Sequence, residues 1–308
     1  MRIIDSKTVT PEIILVTNLI ESAPVWDATQ KYTSGTIVRQ ADTHHNYKAL
    51  SDNTGKRPAD TCTGLTPVWS DQGVSNDWAP FDGAIRTRAT ASAADGSIDM
   101  TFDFSRCDAI AVFGLSNAST VGFELYDGTG SAIVSNATSL YNFGISNWWK
   151  YFFGKFSYRR DFVQSFPMYA QSKLRMVIHG VGESKSSVGT IIIGQAHEIG
   201  NTLYGSEFGS VDWSTYDEGR WGEMTMSPGP IAKTGSIDLH FDTENLDDVV
   251  GIVESVSGKL AVFDCNNATT LQAKPFERGI ILGRVLSHKT PVEGPVISTM
   301  SIEIRGVP

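Results

Sequence analysis

The sequence is short of cysteine, of basic residues and of long apolar runs, and each shortage removes a class of protein. Cys62, Cys107 and Cys265 are the only three cysteines in 308 residues. An odd number, widely spaced and without a Cys-x-x-Cys pair, gives neither a disulfide framework nor a zinc site. Buried free thiols, in a chain made in a reducing compartment, are expected. Twenty-five Lys and Arg stand against 34 Asp and Glu, for a net charge of -9. A nucleic-acid groove would need a basic stripe. The densest basic spot, Arg159-Arg160, suits a solvated strand end instead. No apolar run approaches the roughly 18 residues of a membrane-spanning helix. Ile13 to Ile20 is apolar but too short, and it lacks the basic start of a signal peptide.

Catalytic signatures are missing too. There is no Gly-x-Ser-x-Gly elbow and no His-Glu-x-x-His. No Gly-rich loop leads into a helix as a phosphate cradle, and no solenoid period marks a β-helical depolymerase. His44 and His45 are adjacent, so on a strand they point to opposite faces and cannot share a metal. No cofactor or metal is implied. A glycosidase needs only two suitably placed carboxylates, and acidic residues are plentiful, so that activity stays open.

What the chain does have is a stretch of regularly spaced aromatics from Trp26 to Asp82. Trp26, Tyr32, Tyr47 and Trp69 are separated by turn signals such as Asp52-Asn53-Thr54-Gly55 and Asp71-Gln72-Gly73. Flat amphipathic rings stack on sugar rings while their N–H and O–H groups find polar partners. These four are the candidate glycan platforms, with Asp27, Asn46 and Asp71 bonding sugar hydroxyls. At least one of Trp26 and Trp69 is expected at the surface. The same rings also suit the core of a module this small, which can bury little else.

A mainly β chain in four segments is expected. Residues 1–24 read as an extended arm, with Ile13-Ile14-Leu15-Val16 a short strand that adds to a later sheet or lies on a neighbouring subunit. Residues 25–75 form the aromatic module. Residues 76–200 read as a β-sandwich of jelly-roll type. Ile98, Met100, Phe102 and Phe104 alternate with polar residues, Ala109 to Leu115 is continuously apolar, and Asp127-Gly128 signals a hairpin. Residues 201–308 read as an α+β unit with one amphipathic helix. That helix is capped by Asp242 or Thr243, carries Leu246, Val249, Val250, Val253 and Val256 on one stripe, and stops at Gly258. The most aromatic run, with Trp148, Trp149, Tyr151, Phe152 and Phe153, suits a core or a subunit interface. Asp99, Thr101 and Asp103 on one strand echo Asp238, His240 and Asp242 on another. These sets suit a cation site or a solvated strand face.

Two resemblances follow from these residues. The Trp26, Tyr32-Thr33-Ser34-Gly35, Tyr47-Lys48-Ala49 and Trp69 series resembles small chitin- or cellulose-binding modules. Further blocks, in order, resemble bacteriophage tail-tip or baseplate proteins: Asn76 to Asp82, Trp149 to Phe153, Ile191 to Gly200, Thr202 to Gly205, Val211 to Ser214 and Met300 to Val307. The stretch from Trp221 to Pro230 departs from that pattern. The resemblance implies a structural virion protein made in the host cytoplasm. It would assemble with copies of itself and other tail proteins and present a weak glycan-binding module to host polysaccharide. A glycan-cleaving tail enzyme with an appended binding module is the alternative.

Overall fold

The computed structural model describes residues 1–142, 147–153, 157–182, 184–266, 277–291 and 294–308. Its centre is a ten-stranded antiparallel sheet. The order runs Phe162–Ser165, Ala109–Phe113, Thr190–Glu198, Arg2–Ser6, Ala261–Asp264, Ile280–Lys289, Ile297–Gly306, Ile231–Asp242 and Asn201–Thr202, with Glu207–Asp212 also on Ile231–Asp242. Residues 1–24 add strands to later sheets, one of the two uses expected of them, Arg2–Ser6 here and Ile14–Thr17 beside Ile98–Asp103. Arg2–Ser6 pairs with Glu198 to Gly194 on one side and with Asp264 to Ala261 on the other. Ile3 and Ile4 are buried on the sheet's two faces, which holds the strand in register. It ties strands before residue 200 to strands after it, and the 200/201 division falls inside one sheet. Gly194 is required at this seam, because a Cβ there would lie 1.9 Å from the Asp5 carbonyl oxygen.

A second, five-stranded sheet packs on the first. Its order is Ala132–Ser139, Ala118–Asp127, Ser172–Gly180, Ile98–Asp103 and Ile14–Thr17. Strict alternation turns Ile98, Met100 and Phe102 inward, where they meet Ile110, Val112, Ile191 and Ile193 of the large sheet. Asp127 makes the expected turn, its carboxylate accepting from the N–H groups of Thr129 and Ser131. Two facing sheets were expected, but strands from outside residues 76–200 complete both of them.

The helix Leu246–Val256 buries Val249, Val253 and Val256 against Leu239, Phe263, Ile281 and Ile302. Gly258, at φ 80°, leaves the helix in the left-handed region, which costs glycine little. The start differs from expectation. A 3-10 turn, Thr243–Asn245, precedes the helix, and neither Asp242 nor Asn245 makes a side-chain cap. Thr243 Oγ1 is instead drawn to the Gly294 carbonyl and the Ser298 hydroxyl, so tertiary contacts replace the local cap. The overall class is mainly β, with a small aromatic module, a sandwich and one amphipathic helix.

Candidate functional site

The aromatic module is a three-stranded antiparallel sheet of Ile37–Gln40, His45–Ala49 and Trp69–Val74. Tyr47 and Ala49 alternate inward while Lys48 faces out. Tyr32, Tyr47 and Trp69 are at most 3% exposed. Tyr32 meets Trp69 edge to face, with ring centroids 5.4 Å apart. The Trp69 indole N–H donates to the Lys56 carbonyl at 2.9 Å, and the Tyr32 hydroxyl accepts from the Asp27 N–H at 2.7 Å. The polar ends of these two rings are satisfied internally, and all three buried rings belong to the module's core. That corrects the expectation that Tyr32, Tyr47 and Trp69 face a sugar.

Trp26 is half-buried against this cluster and is the one expected platform that keeps partial exposure. Its indole Nε1 is buried without a partner among the described residues, so its polar handle points inward. The three polar candidates already have partners. Asp27 Oδ1 accepts from the N–H and hydroxyl of Thr29, both at 2.8 Å. Asp71 bonds His45 Nδ1 at 2.9 Å and accepts from the Gly73 N–H. Asn46 donates to Glu21 Oε2 at 3.1 Å.

That last contact belongs to the joint between module and body. Glu21 Oε2 also accepts from the Asn76 N–H at 2.7 Å, and Oε1 from the Ala23 N–H at 3.1 Å. Burial pushes the Glu21 carboxyl up, but these hydrogen bonds outweigh it and hold its pKa below the ordinary value. Arg39 pairs with Asp77, and the Asn76 side chain bonds both the N–H and the carbonyl of Thr90. His44 stacks on Trp78 with centroids 3.9 Å apart, Trp78 touches Phe81, and Phe81 meets Phe102 in the sandwich core. His44 and His45 thus take different partners, one a ring and the other a carboxylate.

One cluster of solvent-facing aromatics lies on an arm of the sandwich. Buried Leu140 anchors its base, and Tyr141–Asn142 pairs with Ser157–Tyr158. Beyond this ladder the helix Trp148–Phe153 carries Trp148, Trp149, Phe152 and Phe153 at 67–78% exposure. Trp148 stacks on Phe152, and the Trp149 and Phe153 centroids are 4.3 Å apart. These are the i, i+4 neighbours of a helix surface. The side chain of Tyr151 lies outside the described residues. A second hairpin, Thr215–Glu218 with Met224–Ser227, exposes Tyr216, Met224, Met226 and, at its tip, Trp221. The sequence reading missed this one. Its signal is Trp221 between Gly219 and Gly222, flanked by short alternating runs.

The remaining candidates are structural. Cys107 and Cys265 are buried free thiols, and burial pushes Cys265 up to about 12, so it is not a nucleophile at neutral pH. Asp99 pairs with Arg175, Asp103 accepts from Ser105, and Asp238 accepts from Ser301. The two echoed strands lie in different sheets. Among the described residues no cluster of three or more His, Cys, Asp or Glu is placed to hold a metal ion, and no helix is long and apolar enough to cross a membrane.

No protein-family model matches this chain, and no curated protein matches it. Among solved structures, a GH2 beta-galacturonidase from Eisenbergiella tayi bound to glycerol aligns at 12% identity, with a TM-score of 0.18. The alignment covers 72% of this chain and 32% of that one. The chain therefore spans about a third of that protein's length. A likeness this loose says nothing of chemistry.

Proposed function

We propose that the protein is a non-catalytic assembly subunit, of the phage tail-tip or baseplate kind that its sequence resembles, and that it docks on other proteins through the aromatic arm. The observation that carries this reading is four large aromatic side chains held at 67–78% exposure on one short helix. Fully burying one large apolar side chain is worth about 1.5–3 kcal/mol. Aromatic clusters of this kind form the anchors of protein interfaces. The exposed Trp221 hairpin supplies a second contact of the same type. Other tail proteins and further copies of this chain are the partners, and the virion is the location.

Attachment to host polysaccharide has weaker support, because it now rests on Trp26 alone. Many copies on a symmetric particle could still make a weak contact useful through avidity.

The test is incorporation into particles. The double variant Trp148→Ser/Trp149→Ser is expected to fold, to sediment as a free subunit and to be missing from purified particles. Incorporation equal to that of the unaltered chain would reject the arm as the docking element. Release of new reducing ends from host polysaccharide by the purified protein would favour the glycan-cleaving alternative.

A further inference from the structure

The large sheet bends far enough for opposite ends of its strand order to meet. Asp161 directly precedes Phe162–Ser165, the first strand, while Lys233 lies on Ile231–Asp242, near the last. Their side chains form an ion pair. The Lys233 ammonium also donates to the carbonyls of Glu277 and Ile280, at 2.9 and 3.0 Å. The second Asp161 oxygen accepts from the Gly114 N–H at 3.1 Å. Asp161 is 8% exposed, so this knot is buried on its acidic side.

A cavity of about 550 Å³ opens beside the knot, within the ~300–1,000 Å³ typical of small-molecule sites. Buried Phe113, Ile280 and Leu282 form its floor, and its partly exposed apolar wall comes from Ile85, Phe208, Ile231 and Val307. Arg88, Arg160 and Arg278 also line it. The two carboxylate side chains on the lining are already engaged: Asp161 by Lys233, and Glu277 by the Arg160 N–H at 3.0 Å. No ion pair or hydrogen bond engages the guanidinium of Arg88, Arg160 or Arg278 among the described residues. With Lys233 and Asp161 paired, three arginines remain on a lining that otherwise carries Glu277 and the terminal Pro308, in a chain whose net charge is -9.

We propose that this cleft binds a small carboxylate carried on a compact ring, for which a hexuronate sugar is the representative chemistry. The acid group is held by Arg88, Arg160 and Arg278, and the ring lies on the partly exposed apolar lining of Ile85, Phe208, Ile231 and Val307. A guanidinium offers a planar fork of N–H donors that matches a carboxylate two bonds at a time. The apolar wall takes the C–H face of a ring that a bare inorganic anion does not have. In a protein this acidic the general field repels anions, so the arginines must act at short range, where salt competes with them. The site owes nothing to the aromatic arm, and either proposal can fail without the other.

Calorimetric titration of the full chain at low salt tests it, with glucuronate, glucose and inorganic phosphate as probes. Glucuronate is expected to bind, more weakly as salt is raised. Glucose should show no heat, and phosphate should bind at least about tenfold more weakly than glucuronate. Arg160→Gln/Arg278→Gln should lower glucuronate affinity about tenfold or more, since it removes two of the three charged forks that hold the acid group. All three arginines are exposed, and Arg88→Gln gives an independent reading in the same direction. Three results would overturn the proposal: no glucuronate binding, equal binding by the arginine variants, or glucose or phosphate binding as tightly as glucuronate.

Discussion

In the module Trp69 is 0% exposed, whereas in the arm Trp149 is 70% exposed, although both stand in the most aromatic stretches of the chain. The difference lies in what is packed opposite the rings. Tyr32, Tyr47 and Trp69 fall on separate short strands, at positions that alternate inward, and the buried N–H and O–H ends of Trp69 and Tyr32 find backbone partners. Three strands can close around them. Trp148, Trp149, Phe152 and Phe153 fall within one six-residue helix. At 3.6 residues per turn these four positions share an arc of about 140° on one side of the helix, so they could have faced a common core had one been present. The two-residue ladder beneath offers no sheet to receive them. Aromatic density alone does not tell a platform from a core; what the tertiary structure sets opposite the rings does.

This contrast can be broken at its strongest point first. Trp69→Ala should cost about 3–5 kcal/mol, the usual penalty for emptying a large buried aromatic site, measured by urea unfolding. A loss under about 1 kcal/mol would mean that the module's core lies elsewhere. Trp26→Ala should cost about 1–2 kcal/mol, less than the ~1.5–3 kcal/mol of full burial, because the ring is only half-buried. If Trp26 carries a glycan contact, the same variant should also abolish retention on host polysaccharide.

The joint between module and body gives a pH signature. The Glu21 pKa is lower in the folded state than its ordinary value of 4.5. Its contribution to stability is therefore present above that value and is lost as pH falls through the folded pKa. Melting curves from pH 7 down to pH 3 should show a shallower acid limb for Glu21→Gln than for the unaltered chain. Identical limbs would show that the carboxylate does not hold the joint. The smallest expected change in stability is in the arm. Trp148→Ser/Trp149→Ser should alter it by no more than about 0.5 kcal/mol, as surface positions do, while particle incorporation is lost. A large loss of stability would place those rings in a core.

Much of the fold could be read from local pattern. Ile98-Met100-Phe102 alternates because one face of its strand is buried, and Ala109 to Phe113 is continuously apolar because both faces are. The Val249, Val253 and Val256 stripe and Gly258 give the helix and its end. The candidate site was less legible. Tyr47 and Trp69 have the spacing of a sugar platform and equally of a module core, and the two uses differ only in whether other strands cover the rings. The cleft was not legible at all, because Arg88, Arg160 and Arg278 come from three segments far apart in sequence.

The sequence by itself determined the β class, the single amphipathic helix, the free thiols and the lack of a long apolar span. Each of these depends on residue type and spacing within one short segment. Only the tertiary structure decided that Arg2–Ser6 lies inside the large sheet, that Trp69 is covered while Trp149 is not, and that Asp161 reaches Lys233. Those outcomes depend on which strands pair across hundreds of residues. Strand pairing is settled by burying every apolar face at once, and no local pattern records it.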